Sequence, residues 1–185
     1  MSRVVLASRS PQRRAILDQI GVEYEVEVPD VDELQSGPPH EVALENAFRK
    51  ASAVVPRVPG ALVLGVDTLV SLGARLYGKP VDEAEARTML SALSGRRHTV
   101  VSGICLIADG SVRTAAASTA VEFRALDTTL IDWYMASGEW RGRAGAYAIQ
   151  GRGAALVAGI EGDFLNVVGL PVTTLLELAP GLLGG

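Results

Sequence analysis

The sequence predicts an α/β fold with a mixed central sheet and flanking helices, and three observations support this prediction. Apolar strand-like segments alternate with helix-like segments along the 185 residues, without an internal repeat or a long linker. Two long strand-like segments, 98–108 and 112–124, flank Asp109 and Gly110, a pair typical of a hairpin turn. Hydrophobic residues make up 48% of the chain, enough for a packed core. Antiparallel hairpins among alternating units favour a mixed sheet over an all-parallel one.

The amino-terminal region predicts a strand, a helix and a second strand. RVVLA at 3–7 is apolar and suits a buried strand. Ser10 is a favourable N-cap and Pro11 suits the first helical position, so a helix is expected to begin here. Gly21 suits the end of that helix. YEVEV at 24–28 alternates along the chain as a strand does.

The next region predicts a loop, a helix and a strand that ends in polar residues. The loop at 29–39 carries several acidic residues and precedes a helix over about 40–55. ALVLGV at 61–66 predicts a buried strand that leads directly into Asp67 and Thr68.

The remaining elements follow from turn and capping signals. LVSLG begins a hairpin that returns through RLYGKP. Asp82 followed by Glu85 resembles a capping box for a helix to about residue 93, and Asp127 caps a helix that ends near Gly138. The last predicted elements are strands at 144–151 and 153–160, a helix from Pro171 and a frayed GLLGG end.

Charge and cysteine content exclude several classes of protein. The net charge of −4 argues against general nucleic-acid binding, which usually needs a basic surface. The one cysteine, Cys105, excludes an internal disulfide framework and lies in an apolar run, where a buried thiol is expected. The apolar run at the start is too short for a signal peptide, and no stretch approaches a membrane span. A cytoplasmic enzyme or binding protein is therefore expected.

The segment LASRSPQRRAIL at 6–17 crowds cations where a strand passes into a helix. Backbone N–H groups at a helix N-terminus favour anions, Ser8 and Ser10 add hydroxyl donors, and Arg13 adds a fork that suits phosphate oxygens. The alternative is a capped helix with solvated arginines. Gln12 and Arg14 are roughly 200° apart around the helix axis, so the two cannot easily point into one site.

Three further segments could contribute to a site. Asp67 and Thr68 follow an apolar strand, where open α/β sheets place ligand groups, although an aspartate there could also cap its own backbone. Lys79 lies in a tight turn and could reach a phosphate or remain solvated. Gln150 could contact a base edge or satisfy a backbone group. The sequence contains neither GxxxxGK[ST] nor GxGxxG, which excludes the usual P-loop and Rossmann fingerprints.

Eight segments in order resemble the Maf family of nucleoside triphosphate pyrophosphatases. They are LASRSPQRRAIL, VDE at 31–33, RKA at 49–51, GVDTLV at 65–70, GKP at 78–80, LSGRRHTV at 93–100, AGAYAIQG at 144–151 and GDFLNVVGLP at 162–171. The resemblance implies one catalytic domain over 1–185, with two lobes around a cleft and a fold related to inosine triphosphatase-like enzymes. It also implies hydrolysis of a nucleoside triphosphate to the monophosphate and pyrophosphate with a divalent cation, Mg²⁺ or Mn²⁺.

The resemblance also implies roles for two acidic residues. Asp67 matches the family's proton acceptor, and Glu33 matches an acid that helps to hold the metal. Asp67 could instead be a metal ligand, and the sequence does not separate these two roles.

Other site residues are matched position by position. The basic and hydroxyl groups that line the family's pocket correspond to Ser8, Ser10, Arg13, Lys50 and Lys79. Thr68 and Gln150 match positions linked to substrate choice. These two are Thr and Gln in the branch that hydrolyses dTTP and UTP, whereas the 7-methyl-GTP branch typically has Gln and Glu. The chain therefore resembles the dTTP/UTP branch.

One position departs from the family pattern. The family usually has S-P-R-R, whereas this chain has Gln12 at the first arginine, which is tied to specificity in the dTTP/UTP branch. Gln12 makes a pyrophosphatase for another modified nucleotide, such as 7-methyl-GTP, an alternative function. A non-catalytic nucleotide-binding regulator of septum formation is an alternative from another class.

The expected partners follow from charge, hydropathy and the resemblance. A nucleoside triphosphate is the expected substrate. Neither nucleic acid nor a membrane is expected as a partner. A homodimer is possible because homodimers occur in the family.

Overall fold

The computed structural model describes residues 3–183 and contains a seven-stranded sheet flanked by helices. The strands are β1 (Val4–Ala7), β2 (Glu25–Val26), β3 (Leu62–Leu72), β4 (Arg75–Tyr77), β5 (Arg97–Ala108), β6 (Ser111–Phe123) and β7 (Val157–Glu161). The helices are α1 (Pro11–Gln19), α2 (Pro39–Val54), α3 (Glu83–Leu93), α4 (Thr128–Met135), α5 (Phe164–Val168) and α6 (Val172–Leu178). Within residues 3–183, no helix has both the length and the apolar character needed to cross a membrane.

The sheet is mixed, which confirms the predicted fold class. Its order is β2-β1-β3-β5-β6-β7, and β4 pairs with β3. β1 runs parallel to β2 and β3, whereas the pairs β3–β4, β3–β5, β5–β6 and β6–β7 are antiparallel. The tight turn between β5 and β6 forms at Asp109 and Gly110, whose φ angles of 49° and 76° suit the predicted hairpin turn.

One edge of β3 has a gap between two partner strands. β5 pairs with residues 63–71 of β3 along the opposite edge. On this edge, β1 pairs with residues 62–65 and β4 pairs with residues 70–72. Residues 66–69 therefore have no partner strand there among the described residues. Side chains alternate along a strand, so Asp67 and Thr68 leave this gap on opposite faces of the sheet.

Helix α2 packs directly on the sheet because two glycines remove the side chains that would hold it away. A Cβ atom on Gly65 would lie 2.2 Å from the carbonyl oxygen of Ala47. A Cβ atom on Gly103 would lie 2.3 Å from the carbonyl oxygen of Ala43. Only glycine allows this approach. The close packing brings the buried face of α2 next to Asp67.

Two groups of buried apolar residues lie at opposite ends of the long strands. One group, between the sheet and helices α1 and α6, includes Leu6, Leu17, Leu64, Ile104 and Leu175. The other group, around α3 and α4, includes Val70, Leu90, Phe123, Tyr134 and Tyr147. Val168 packs against both groups and lines a cleft beside the gap in β3. Cys105 is fully buried under α2, and burial raises the pKa of its thiol to about 11.

The predicted helix starts are confirmed in three places. The Ser10 hydroxyl accepts a hydrogen bond from the backbone N–H of Arg13 at 3.4 Å. Asp82 caps α3 and Asp127 caps α4, each through a side-chain oxygen that accepts a backbone N–H at 2.8 Å. These bonds satisfy helix N–H groups that otherwise have no partner.

The carboxyl-terminal third differs most from the sequence prediction. Residues 144–151 do not form a strand, because Gly145 has a φ of 68° and turns the chain into a short 3₁₀ helix at Ala144–Ala146. The predicted strand at 153–160 is a 3₁₀ helix over Gly151–Leu156 followed by β7. The sequence analysis also missed α5, and of the GLLGG segment residues 184–185 lie outside the described residues.

Candidate active site

A cavity of about 520 Å³ lies in the cleft, beside the gap in the β3 edge. Nine of the ten residues that the sequence analysis assigned to the site line this cavity: Ser8, Ser10, Gln12, Arg13, Glu33, Lys50, Thr68, Lys79 and Gln150. The tenth, Asp67, is 4% exposed and lies immediately behind Lys50. Residues from distant parts of the chain therefore meet where the resemblance implied.

Asp67 belongs to a buried charged cluster on the α2 face of the sheet. The Lys50 ammonium lies 2.6 Å from Oδ1 of Asp67 and 2.7 Å from Oε1 of Glu33. Lys50 is 6% exposed, so two carboxylates share one buried cation. Ion pairs in such surroundings are weakly screened by solvent. Asp67 and Glu33 are consequently held as a pair around one ammonium.

Asn46 is a site residue that the sequence analysis missed. Its side-chain N–H₂ donates to Oδ2 of Asp67 at 3.0 Å and to the carbonyl oxygen of Leu34 at 3.1 Å. Its Oδ1 accepts the backbone N–H of Leu34 at 2.7 Å. A signal was available, because Asn46 is a polar residue on the apolar face of a helix, one turn before Lys50.

Arg13 fixes the opposite face of the gap, next to Thr68. Its guanidinium donates to the Thr68 hydroxyl at 3.2 Å, to the Ser8 hydroxyl at 3.0 Å and to the carbonyl oxygen of Gly169 at 2.9 Å. Burial lowers the pKa of Arg13, while the nearby Asp67 and Glu33 charges raise it. Three of its five N–H donors are used, which leaves two for a ligand in the cavity.

Ser102 is a second missed residue, behind Thr68. It lies directly opposite Thr68 in the β3–β5 register and is fully buried. Its hydroxyl lies 2.8 Å from the Thr68 hydroxyl. No local sequence signal identifies Ser102, because the pairing depends on the register of two strands more than 30 residues apart.

The opening loop presents Gln12 to the cavity and turns Arg14 away from it. The Ser10 hydroxyl donates to Oε1 of Gln12 at 3.2 Å, and the Ser8 hydroxyl accepts the backbone N–H of Ser10 at 3.1 Å. Gln12 is half-buried in the cavity lining, whereas Arg14 is exposed on the outer face of α1. This arrangement confirms that Arg14 does not replace the cation absent at Gln12.

Lys79 and Gln150 lie on the far side of the cavity, in two loops that contact each other. The backbone N–H of Gly145 donates to the carbonyl oxygen of Gly78 at 3.0 Å. The lining also contains Arg9 and Arg143, two cations that were not among the predicted site residues. Apolar side chains complete the wall: Val70, Val100, Tyr147, Ile149 and Val168. The cavity therefore combines cationic groups with an apolar wall.

His98 supports this wall from behind. Its Nε2 lies 2.9 Å from the hydroxyl of Tyr147, and both rings make edge contacts with Phe123. Burial lowers the pKa of His98 to about 4 and raises the pKa of Tyr147. Both side chains are therefore neutral near pH 7, which agrees with a structural role for His98.

Glu33 and Asp67 are the two clustered carboxylates that could contribute to a metal site, and Asp30 is a further carboxylate in the cavity lining. Among residues 3–183, no group of three or more His, Cys, Asp or Glu side chains is placed to hold an ion. Mg²⁺ is commonly held by one or two carboxylates together with phosphate oxygens of the substrate. Two neighbouring carboxylates match the protein ligands that Mg²⁺ commonly has. Phosphate oxygens of a substrate would supply the other ligands.

Comparisons with known proteins identify the family of the chain. A family model described as Maf-like protein matches residues 3–181. The dTTP/UTP pyrophosphatase of Symbiobacterium thermophilum is 46% identical over 180 residues, covering 96% of this chain and 93% of that protein. The dTTP/UTP pyrophosphatase of Myxococcus xanthus is 48% identical over 185 residues, covering 95% of this chain and 92% of that protein. A crystal structure of a Vibrio cholerae protein gives a TM-score of 0.36 at 14% identity over 74% of this chain and 71% of that chain, too weak a likeness to support any conclusion.

Proposed function

The chain belongs to the Maf-like protein family, and we propose that it hydrolyses dTTP and UTP to the monophosphates and pyrophosphate. The observation that carries this proposal is the buried Asp67–Lys50–Glu33 cluster beside a cavity of nucleotide size. The dTTP/UTP pyrophosphatases to which it is similar support the choice of substrate.

The cationic part of the cavity suits a triphosphate. Five basic side chains line it, in a protein with a net charge of −4: Arg9, Arg13, Lys50, Lys79 and Arg143. Local positive charge in a cleft attracts anionic substrates and stabilises charge that builds up on phosphate oxygens. In this proposal the phosphate chain lies along these groups, and the two free N–H donors of Arg13 bind phosphate oxygens.

A divalent cation, Mg²⁺ or Mn²⁺, is part of the proposal. Glu33 would hold it together with phosphate oxygens of the substrate, and Asp67 would be a second ligand in the alternative in which it does not act as the base. When bound, the cation would neutralise negative charge on the phosphates. The support is the chemistry of the two carboxylates, since hard divalent cations prefer oxygen ligands.

Asp67 is proposed to orient the attacking water and to accept its proton. The water oxygen forms a bond to the α-phosphorus, and the bond from that phosphorus to the bridging oxygen breaks, releasing pyrophosphate. Lys50 and Asn46 hold the carboxylate in place for this step. Hydrolysis by positioning and charge neutralisation needs no covalent intermediate. Ligation of the metal by Asp67 remains the alternative role.

The apolar wall and three polar side chains are proposed to bind the base. Thr68 and Gln150 are the pair found in the dTTP/UTP branch, and both line the cavity. Gln12 favours a second candidate, a modified nucleotide such as 7-methyl-GTP, because it lines the cavity where the family usually has arginine. Binding of a nucleotide without turnover would instead point to the regulator of septum formation.

We propose the cytoplasm as the compartment, because nucleoside triphosphates are made and used there. Homodimer formation stays a prediction, and the molecular mass in solution would test it.

Hydrolysis in ¹⁸O-labelled water tests the proposed bond cleavage. Attack on the α-phosphorus places the label in dTMP or UMP and leaves pyrophosphate unlabelled. Mass spectrometry of both products reads the result. Label in pyrophosphate, or release of orthophosphate as the first product, would contradict the proposal.

A further inference from the structure

Asn46 is a buried polar side chain with an unusual set of partners. It is 1% exposed and lies on α2 among Val42, Ala43 and Ala47. A buried amide is costly unless its polar atoms are hydrogen-bonded. Both N–H donors of Asn46 are used, one by Leu34 and one by Asp67, and its oxygen accepts the Leu34 N–H.

These partners fix the orientation of the Asn46 amide. If its oxygen and nitrogen were exchanged, an N–H₂ group would face the N–H of Leu34. The exchanged oxygen would then face the carboxylate of Asp67. Both contacts would be repulsive, so the network allows only the present orientation.

Asn46 and Lys50 hold Asp67 in different ways. They lie one helical turn apart, and each binds a different oxygen of the carboxylate. Lys50 also binds Glu33, and Asn46 also binds the backbone of Leu34, the next residue. Lys50 brings a charge that a phosphate could also use. Asn46 brings none, so it contributes hydrogen bonds but no charge to the site.

We propose that Asn46 is a positioning residue that holds the Asp67 carboxylate and the Glu33–Leu34 segment in one arrangement. This inference rests on the proposed function. Asn46 does not line the cavity, so its loss should leave substrate binding nearly unchanged. Its loss should lower the rate of hydrolysis equally for every nucleotide, because it acts through Asp67.

Asn46→Leu is the main test, because leucine has a similar volume and no hydrogen-bonding group. We expect kcat for dTTP and UTP to fall about 10- to 100-fold, as for other residues that orient a reacting group. KM should change by less than about threefold. The Mg²⁺ concentration that gives half-maximal rate should rise, because the Glu33 segment loses its anchor. Asn46→Ser is a second variant, with a hydroxyl too short to reach both partners.

Asn166→Leu is the matched control. Asn166 is also fully buried, and its amide donates to the Val100 carbonyl oxygen at 3.1 Å and the Thr119 hydroxyl at 3.0 Å. It contacts neither Asp67 nor the Glu33 segment through hydrogen bonds. Its loss should reduce stability but keep kcat within about twofold of the wild type. Thermal unfolding of all variants corrects each rate for the folded fraction.

Amide hydrogen exchange gives a readout that does not depend on activity. The N–H of Leu34 should exchange faster in Asn46→Leu than in the wild type or in Asn166→Leu. Faster exchange together with the kcat loss would support the proposal. If the wild type is active and kcat is unchanged in folded Asn46→Leu or Asn46→Ser, the positioning role of Asn46 is overturned and the proposed function is not. An inactive wild type would overturn the proposed function. In that case, unchanged exchange of the Leu34 N–H in Asn46→Leu would also overturn the proposal that Asn46 anchors the Glu33–Leu34 segment.

Discussion

The two faces of β3 at the gap differ in what contacts them. Asp67 points toward α2, where Lys50 and Asn46 bind its two oxygens within a buried charged cluster. Thr68, the next residue, points toward the other face and meets the Arg13 guanidinium and the Ser102 hydroxyl. A single step along a strand therefore separates the groups proposed for hydrolysis from those proposed for recognition. Substitutions of Lys50 or Asn46 on the α2 face should change the rate for all nucleotides, whereas substitution of Thr68 or Ser102 on the other face should change their ranking.

Replacing the central cation gives the largest expected effect in this comparison. Lys50→Met leaves Glu33 and the buried Asp67 without their shared ammonium. The free energy of unfolding should fall by about 3 kcal/mol, because a buried charge loses its partner. The kcat for dTTP and for UTP should fall by the same factor, on the order of 100-fold.

The adjacent residue offers a control for Lys50. Arg49 makes an exposed ion pair with Glu45, so Arg49→Met should cost less than about 1 kcal/mol and leave kcat unchanged. Urea denaturation and steady-state kinetics measure both variants. A Lys50→Met protein that loses turnover of only one nucleotide would break the proposed separation of the faces.

Thr68→Val tests the other face with a smaller effect. Valine keeps the shape of threonine but removes the hydroxyl that contacts Arg13 and Ser102. The ratio of kcat/KM for dTTP to that for other nucleotides should change about tenfold, while kcat for the best substrate changes little. Ser102→Ala should act in the same direction more weakly. Equal losses for all nucleotides would contradict the assignment of this face to recognition.

Gln12→Arg should have a still smaller effect. It places the family's cation in the cavity lining, where KM for triphosphates should fall about threefold at low salt and less at high salt. Arg14→Gln is the control, because Arg14 is exposed on the outer face of α1 and its loss should not change KM. A rise in KM for Arg14→Gln as large as the fall for Gln12→Arg would show that only overall charge matters.

The smallest effect concerns His98, which packs behind the apolar wall of the cavity, at low pH. His98 has a pKa of about 4 in the folded protein and about 6.5 in the unfolded chain. Between these pH values the unfolded chain therefore binds a proton at His98 that the folded protein does not bind. The free energy of unfolding should therefore fall as the pH drops from about 6.5 toward 4. His98→Gln should flatten this dependence in urea denaturation. An unchanged slope in His98→Gln would contradict the structural role of the neutral imidazole.

Much of the site followed from motifs in order along the chain. Arg13 and Thr68 lie where a local pattern points to a ligand, whereas Lys50 was assigned only through the family resemblance. The gap in the β3 edge could not be predicted, because it depends on where β1 and β4 pair with β3. Asn46 and Ser102 were missed for a related reason. Each acts through a partner that only the folded chain brings near.

The error at 144–151 has a different origin. Apolar residues alternate there as in a strand, and Tyr147 and Ile149 are indeed buried. Their alternation serves packing against the core from an irregular segment, because the positive φ angles of Gly145 and Ala146 turn the chain just before Tyr147. The alternation of apolar residues thus predicted correctly which side chains are buried, but the strand that it predicted does not form.

Pyrophosphate release with Mg²⁺, for the wild type and Asp67→Asn, tests the central claim most directly. The nucleotides would be dTTP, UTP, CTP, 7-methyl-GTP, 5-methyl-UTP and pseudo-UTP, and calorimetry would follow binding of dTTP to both proteins. We expect fast release from dTTP and UTP by the wild type. Asp67→Asn should bind dTTP but release pyrophosphate at least about 100-fold more slowly. Retained turnover in Asp67→Asn would contradict the assignment of Asp67, and no release from any nucleotide by the wild type would contradict the account as a whole.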